Sequence, residues 1–437
     1  MIPIFEYQTE SGRERVEALL KGLGLDPVEI ALSRGRLAEA TEAVRKIMAD
    51  VAERGDAAVV DANRRFDDPQ FTADQIRIRQ EEMVAAAGRV PGEQLDAIRR
   101  SIGQVREYQS WIMPKSPEVL RRPGVELGLR FTALDSAGLY VPGGHAAYPS
   151  SLIMLAAPAQ VAGVKRVVAC TPPSQYGRSD LFLAAAHELG LSEVYRAGGA
   201  AIAAMAFGTE TIPKVDKIVG PGNTYIQLAK RLLAGVVGID GYLGPSEIVV
   251  IADETGRAEF IAADLIAQAE HDPGSAFLLT TSAELAKAVV VEVKKQMEER
   301  QRRGAIESGL RDHSAIVVDP SIERLTELAN RFAAEHVNVQ VRDEASVLSR
   351  LAHAGAVFVG QYAPVAAGDY VAGPSHCLPT NRTARFSSGI SVYEFLKRSS
   401  VVRYSQAGLA NDAKAITILA EAEHLDAHAA SVRIRGK

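Results

Sequence analysis

Three Ala-Glu-His triplets, Ala269-Glu270-His271, Ala334-Glu335-His336 and Ala422-Glu423-His424, hold three of the nine histidines in this 437-residue chain. A carboxylate beside an imidazole could carry out general acid/base chemistry, one group moving a substrate proton and the other handling a water. A solvated Glu beside a partly buried His is the other reading. Glu335-His336 is the pair best placed for chemistry. It falls between a helix predicted over 322–332 and a strand at Val337-Asn338-Val339, and element ends often present functional side chains.

Gln268 and His271 are three residues apart, so they would share one face of a helix. Leu265, Ile266 and Ala269 give that segment an apolar stripe, and Pro273-Gly274 stops it, which makes Gln268 to His271 its last turn. The carbonyl end of a helix favours a cation, and an amide oxygen with an imidazole nitrogen could hold a divalent metal. Equally, these are ordinary polar residues at a frayed helix end. Asp369 lies in the loop from Ala366 to Thr380, rich in Gly and Pro, which also carries His376. Its carboxylate could complete a zinc or manganese site, or it caps a turn. In the tail, His424 and His428 are four apart on a predicted helix, the spacing that sets two ligands on one face. Glu423 and His428, five apart, diverge on a regular helix yet could reach one pocket from its two sides.

The elements that must position these groups show two textures. Residues 1–65 and 80–113 read as helices, with the strongest periodicity over 37–54, a break at Gly55-Asp56, and a β-hairpin over 119–131 around Pro123-Gly124. From about residue 135 strands alternate with helices, the signature of a parallel sheet. Two glycine-rich turns, Pro142-Gly143-Gly144-His145 leading to Ser150-Ser151 and Gly220-Pro221-Gly222-Asn223, sit between strand and helix. Such turns cradle anions, and ligands in open α/β sheets gather at the carboxyl ends of strands. A second α/β run extends through Ile248–Ile251, Phe277–Leu279, Ala315–Val318 and Ala356–Val359, followed by an irregular loop and a helical tail from Gln406. No Gly-x-Gly-x-x-Gly is present, so a dinucleotide would bind atypically.

Composition narrows the partners. With 47% hydrophobic and 24% charged residues and a net charge of −5, the chain reads as a globular protein with a large core, and nucleic acid or anionic membranes are unsupported as partners. No apolar run approaches the roughly 20 residues of a membrane span, and the first residues lack a secretory pattern, which predicts a cytoplasmic protein. Two cysteines, Cys170 and Cys377, exclude a disulfide framework and an all-cysteine zinc site.

Taken in order, the motifs resemble the histidinol dehydrogenase family across nearly the whole chain. The likeness is carried by Gly138-Leu139-Tyr140-Val141-Pro142-Gly143-Gly144, Gly220-Pro221-Gly222-Asn223, Gly244-Pro245-Ser246-Glu247, Gln268-Ala269-Glu270-His271, Glu335-His336, Gly368-Asp369-Tyr370 with His376-Cys377-Leu378-Pro379-Thr380, and Ala422-Glu423-His424-Leu425-Asp426-Ala427-His428. The resemblance implies a zinc-dependent enzyme oxidising L-histidinol to L-histidine through a bound aldehyde, with two NAD. It implies zinc held by Gln268, His271, Asp369 and His428, the last from the partner in an intertwined homodimer. His336 would be the base that removes the alcohol proton, and Glu335 would activate water. Ser246, His376 and Glu423 would line the substrate pocket together with the zinc ligands and the catalytic pair, while Tyr140 and Asn223 would contact NAD.

The implied fold is α/β, two domains of incomplete Rossmann-like topology with small terminal helical pieces. Residues 1–135 hold a helical segment and the first part of domain 1, 136–245 the NAD-side domain 2, 246–380 the rest of domain 1, and 381–437 a tail reaching the partner. The chain departs from the family pattern at Gly198-Gly199-Ala200-Ala201-Ile202, one residue short and without a usual Gln, and at Ser375, Asn381-Arg382 and Ala334. A relative acting on another small polar alcohol, or a zinc- and ligand-binding relative without turnover, are the alternatives.

Overall fold

The computed structural model describes residues 2–24, 26–35, 37–144, 146–241, 244, 246–271 and 274–436. His145 of the first glycine-rich turn, Pro245 and the helix-stopping Pro273 lie outside the described residues.

The strands follow in chain order as β1 (Ile4–Glu6), the hairpin β2 (Leu120–Arg122) and β3 (Val125–Ala133), then β4 (Ser136–Tyr140), β5 (Arg166–Thr171), β6 (Glu193–Arg196), β7 (Lys217–Val219) and β8 (Gly238–Ile239). They continue as β9 (Ser246–Ala252), β10 (Gly274–Thr280), β11 (Ala315–Val318), β12 (His336–Gln340), β13 (Ala356–Val359) and β14 (Leu396–Tyr404). One parallel sheet has the order β6-β5-β4-β7-β8, and a second has β1-β11-β10-β9-β12-β13. Leaving β1 aside, each runs third, second, first, fourth, fifth in its own stretch of chain. This is half of a doubly wound fold, with the direction of winding reversing between β4 and β7 and between β9 and β12.

A parallel strand covered on both faces is apolar along its whole length, because successive side chains enter opposite cores. In β9, Ile248, Val250 and Ala252 pack with the helix Ala258–Ala269, whereas Val249 and Ile251 pack with the helix Ile322–Phe332. The helices Leu37–Arg54, Thr224–Leu233 and Ile322–Phe332 lie where apolar periodicity puts them. Gly55 between two helices has φ +55°, a conformation that favours glycine.

Four expectations need correction. The N-terminal region is not all helical: β1 adds to the sheet edge beside β11, a strand of three residues too short to show a period. The last section is not only loop and helix, since β14 pairs antiparallel with β3 over its full length, Leu396 opposite Ala133 to Tyr404 opposite Val125. Most of β14 is exposed, so no inward face marks it in the sequence. Asp369 lies on a short helix, Val365–Tyr370, not in a loop. Its composition is loop-like because Gly368 packs against the ring of Phe358, where a Cβ would stand 2.6 Å from the ring. Finally, His424 and His428 do not share a helix. The helix Gln406–Ala422 ends, His424 takes φ +60°, and a new helix runs Asp426–Arg433.

Candidate active site

The amino ends of β9 and β12 meet at the switch point of the six-stranded sheet, with His336 paired beside Ile248. Ser246 opens β9, Glu335 immediately precedes β12, and His336 opens it. Glu335 and His336 are both buried. One oxygen of Glu335, Oε2, accepts hydrogen bonds from the Ser246 hydroxyl and, at 3.0 Å, from the Glu247 backbone N–H. The His336 ring has Nδ1 3.2 Å from the Glu247 carbonyl oxygen, while Nε2 has no hydrogen bond and stands 3.8 Å from Asp369 Oδ1. Because a carbonyl only accepts, the hydrogen sits on Nδ1, and Nε2 is left as a lone pair aimed at the site. This is the geometry of a base. The pair Glu335-His336 is therefore brought together with Ser246 and Asp369. It stands at the amino ends of its strands, opposite to the carboxyl-end rule.

His376 bridges the two sheets. Its Nδ1 donates to the Asp369 carbonyl oxygen at 2.8 Å, and its Nε2 lies 3.1 Å from the hydroxyl of Ser151 in the helix Pro149–Val161, which follows β4. With Nδ1 donating, Nε2 accepts from that hydroxyl. Burial depresses the His376 basicity, opposed by the Asp369 charge. The carboxyl end of β4 thus faces the amino end of β12. Tyr140, the last residue of β4, is buried, and burial pushes its phenol pKa up. Asn223 caps the helix Thr224–Leu233, its side-chain oxygen accepting from the N–H groups of Tyr225 and Ile226 at 3.1 and 3.2 Å.

The donors expected for zinc are placed as follows. The helix Ala258–Ala269 carries Gln268 in its last turn, buried and with Nε2 unpartnered, and it ends before His271, which lies exposed in the next turn. Asp264, one turn before Gln268, accepts the backbone N–H of Val365 at the head of the helix bearing Asp369. Burial pushes its carboxyl up to about 6. Among the described residues no three His, Cys, Asp or Glu side chains converge as a metal cluster. Gln268, His271 and Asp369 nonetheless fit a zinc ion in type: an amide oxygen, an imidazole and a carboxylate, one ligand short of four. The unpartnered end of Gln268 is its NH2, a donor, so it calls for an acceptor, and the amide would have to turn over to offer its oxygen at that position to a metal. Glu423 and His428 are exposed on the tail and bond to none of these residues in the same chain.

Two groups escaped the sequence reading as site elements. Glu247 is buried behind Glu335 and His336, its Oε1 accepting the Asn381 N–H at 3.0 Å, and burial raises its carboxyl to about 8. Lys230 forms a fully buried ion pair with Asp240, and together they clasp the second glycine-rich turn. Lys230 Nζ donates to the Gly220 carbonyl at 2.9 Å, and the Gly220 N–H donates to Asp240 Oδ2 at 2.7 Å. A signal existed: Lys230 falls on the buried stripe of its helix with Ile226 and Leu233, where a lysine needs a partner.

Residues 32–436 match the family described as histidinol dehydrogenase. Histidinol dehydrogenase of Thermosynechococcus vestitus is 47% identical over 404 residues, covering 92% of this chain and 94% of that protein. That of Gluconobacter oxydans is 45% identical over 425 residues, covering 97% and 99%. The crystal structure of histidinol dehydrogenase from Elizabethkingia anophelis superposes with a TM-score of 0.92 at 32% identity, covering 99% of this chain and 98% of that one. With that span and those identities, the chain belongs to the histidinol dehydrogenase family of oxidoreductases.

Proposed function

We propose that this chain oxidises L-histidinol to L-histidine by way of bound L-histidinaldehyde, as a cytoplasmic, zinc-dependent homodimer that reduces two NAD. The observation that carries the reading is the buried pair Glu335 and His336 with Ser246 bonded to it, the His336 Nε2 lone pair free, in a chain of this family. We take the domain division 1–135, 136–245, 246–380 and 381–437 as the frame of this reading.

His336 takes the proton of the substrate hydroxyl at Nε2, and its Nδ1–H stays on the Glu247 carbonyl, which holds the ring against rotation. Glu335, with Oε2 tied down by Ser246 and Glu247, uses its other oxygen to orient and deprotonate the water that adds to the aldehyde carbon. Ser246, His376 and the partner tail's copies of Glu423 and His428 enclose the amino alcohol and keep the aldehyde from escaping. Gln268, His271, Asp369 and that second His428 are the residues that would hold zinc, and Tyr140 and Asn223 would contact NAD. When bound, NAD accepts hydride from the substrate carbon and zinc orients the substrate's amine and imidazole.

The test is NADH formation from L-histidinol by zinc-loaded protein, with product identified. Two NADH per histidine are expected. Turnover of other small polar alcohols in preference to histidinol would assign the chain to a diverged dehydrogenase. Zinc and histidinol binding without NADH would leave a binding protein.

A further inference from the structure

The helix that carries Asp369, Val365–Tyr370, has six residues, too few to hold its shape without its surroundings. Support reaches it at both ends. At its head the Val365 N–H donates to Asp264, and the carbonyl of Ala363, two residues earlier, accepts from the side-chain amide of Asn338 at 2.9 Å. At its tail the Tyr370 carbonyl accepts from the hydroxyl of Ser101, next to the bond from His376 to the Asp369 carbonyl. Ser101 is buried on the helix Gly92–Trp111, and the chain beyond the tail stays against that helix: a Cβ on Gly373 would stand 2.6 Å from the Cβ of Tyr108.

Asn338 breaks the rule its neighbours obey. It follows His336 by two residues on β12, so both side chains leave the same face of the sheet. Its partners across that sheet are Val250 in β9 and Phe358 in β13, and Ile248, Val250, Ala252 and Phe358 make this face apolar. Leucine, which branches at the same atom, would suit such a face. The Asn338 amide is instead fully buried, and its Oδ1 has no hydrogen bond among the described residues. A bare buried oxygen costs stability, and what the residue gives in return is the bond from its other end to Ala363. Phe358 links the same parts, its ring centroid 6.0 Å from that of His336 and its edge against Gly368.

We propose that Asn338 and Ser101 are positioning residues that set the Asp369 carboxylate, 3.8 Å from His336 Nε2, for the metal. Asn338 stands on the strand that bears the base. Ser101 stands on a helix whose Ile98, Ile102 and Val105 share a core with Ala137 and Leu139 of β4, so the two halves of the molecule hold Asp369 between them. The inference rests on the reading of Asp369 as a zinc ligand. Groups that orient a ligand from behind commonly change metal affinity by about 10- to 100-fold when removed.

The experiment measures the zinc affinity of the full, zinc-loaded chain by competition with a chromophoric chelator. Asn338→Leu and Ser101→Ala should each weaken zinc binding by about 10- to 100-fold, and Asp369→Ala at least as much. Added to Asp369→Ala, Asn338→Leu should cause no further loss, because the carboxylate it acts through is gone. Unchanged affinity in Asp369→Ala would remove Asp369 from the zinc and overturn the positioning role with it. Weakened affinity in Asp369→Ala, but wild-type affinity in Asn338→Leu or Ser101→Ala, would overturn the positioning role alone. So would a full further loss when Asn338→Leu is added to Asp369→Ala. The same cycle run with Ser101→Ala, which removes a single oxygen, decides the question if Asn338→Leu does not fold. Urea unfolding of wild type and Ser101→Ala in excess chelator should coincide; a midpoint that falls together with the affinity would assign the loss to the fold and overturn the proposal.

Discussion

The Nδ1 of His336 lies 3.2 Å from the carbonyl oxygen of Glu247, and that contact fixes which nitrogen of the imidazole can act as a base. The carbonyl belongs to β9 and the ring to β12, so the pairing of two neighbouring strands sets the tautomer. A side chain held this way needs no reorientation when substrate arrives.

His336→Ala should therefore lower kcat by about 10²- to 10⁴-fold, the usual worth of a positioned base. Zinc content, measured by atomic absorption, should stay at the wild-type level, since His336 is not among the expected ligands. Loss of metal along with activity would move His336 from base to ligand.

Lys230→Met should destabilise the protein by about 3–5 kcal/mol, because it leaves Asp240 charged and buried alone. The ion pair is inaccessible to solvent, so screening offers little relief. The paired replacement Lys230→Met with Asp240→Leu should recover much of that loss in urea unfolding, since neither charge then remains buried. Weakened NAD binding in both variants is also expected, because the single variant loses one of the two hydrogen bonds on Gly220 and the paired variant loses both.

The parts legible in the sequence were those with a period. Ile248 to Ile251 and Ala315 to Val318 announce covered parallel strands, and the helix Ile322–Phe332 carries its apolar stripe openly. The pair Glu335-His336 was legible because it stands where that helix gives way to a strand. What stayed hidden depends on contacts between distant segments. β1 and β14 exist through the strands they pair with, the helix bearing Asp369 is disguised by glycine, and the αL conformation of His424 separates two helices that share one composition. Glu247 is a motif residue in the sequence. Only its burial behind Glu335 gives it an unusual proton affinity.

That affinity has a consequence for stability. The Glu247 carboxyl titrates near 8 in the folded protein against an ordinary value of 4.5, with burial the main cause and the Glu335 charge adding to it. The folded state thus holds a proton that the unfolded chain has released. Its stabilising contribution is complete below about 4.5 and declines as pH rises, until it is lost above about 8. The decline amounts to something on the order of 5 kcal/mol. Glu247→Gln, which keeps the shape and removes the titration, should match wild type in urea unfolding near pH 5 and exceed it near pH 9. Parallel curves for the two proteins across that range would show that Glu247 is ionised in the fold.

Glu423 and His428 are exposed on the tail, and in the same chain they bond to none of the residues around His336. If each tail completes the site of a partner subunit, the two deficiencies His336→Ala and His428→Ala complement each other. In a mixed dimer, the subunit carrying His428→Ala keeps its own His336 and receives an intact His428 from the other tail, so one of its two sites is whole. Random exchange puts half of the subunits in mixed dimers, and recovery of about a quarter of wild-type activity is expected. Native mass spectrometry establishes that mixed dimers have formed. Mixed dimers without activity would mean that His428 serves the subunit it belongs to, and the tail would then have to fold back on its own chain.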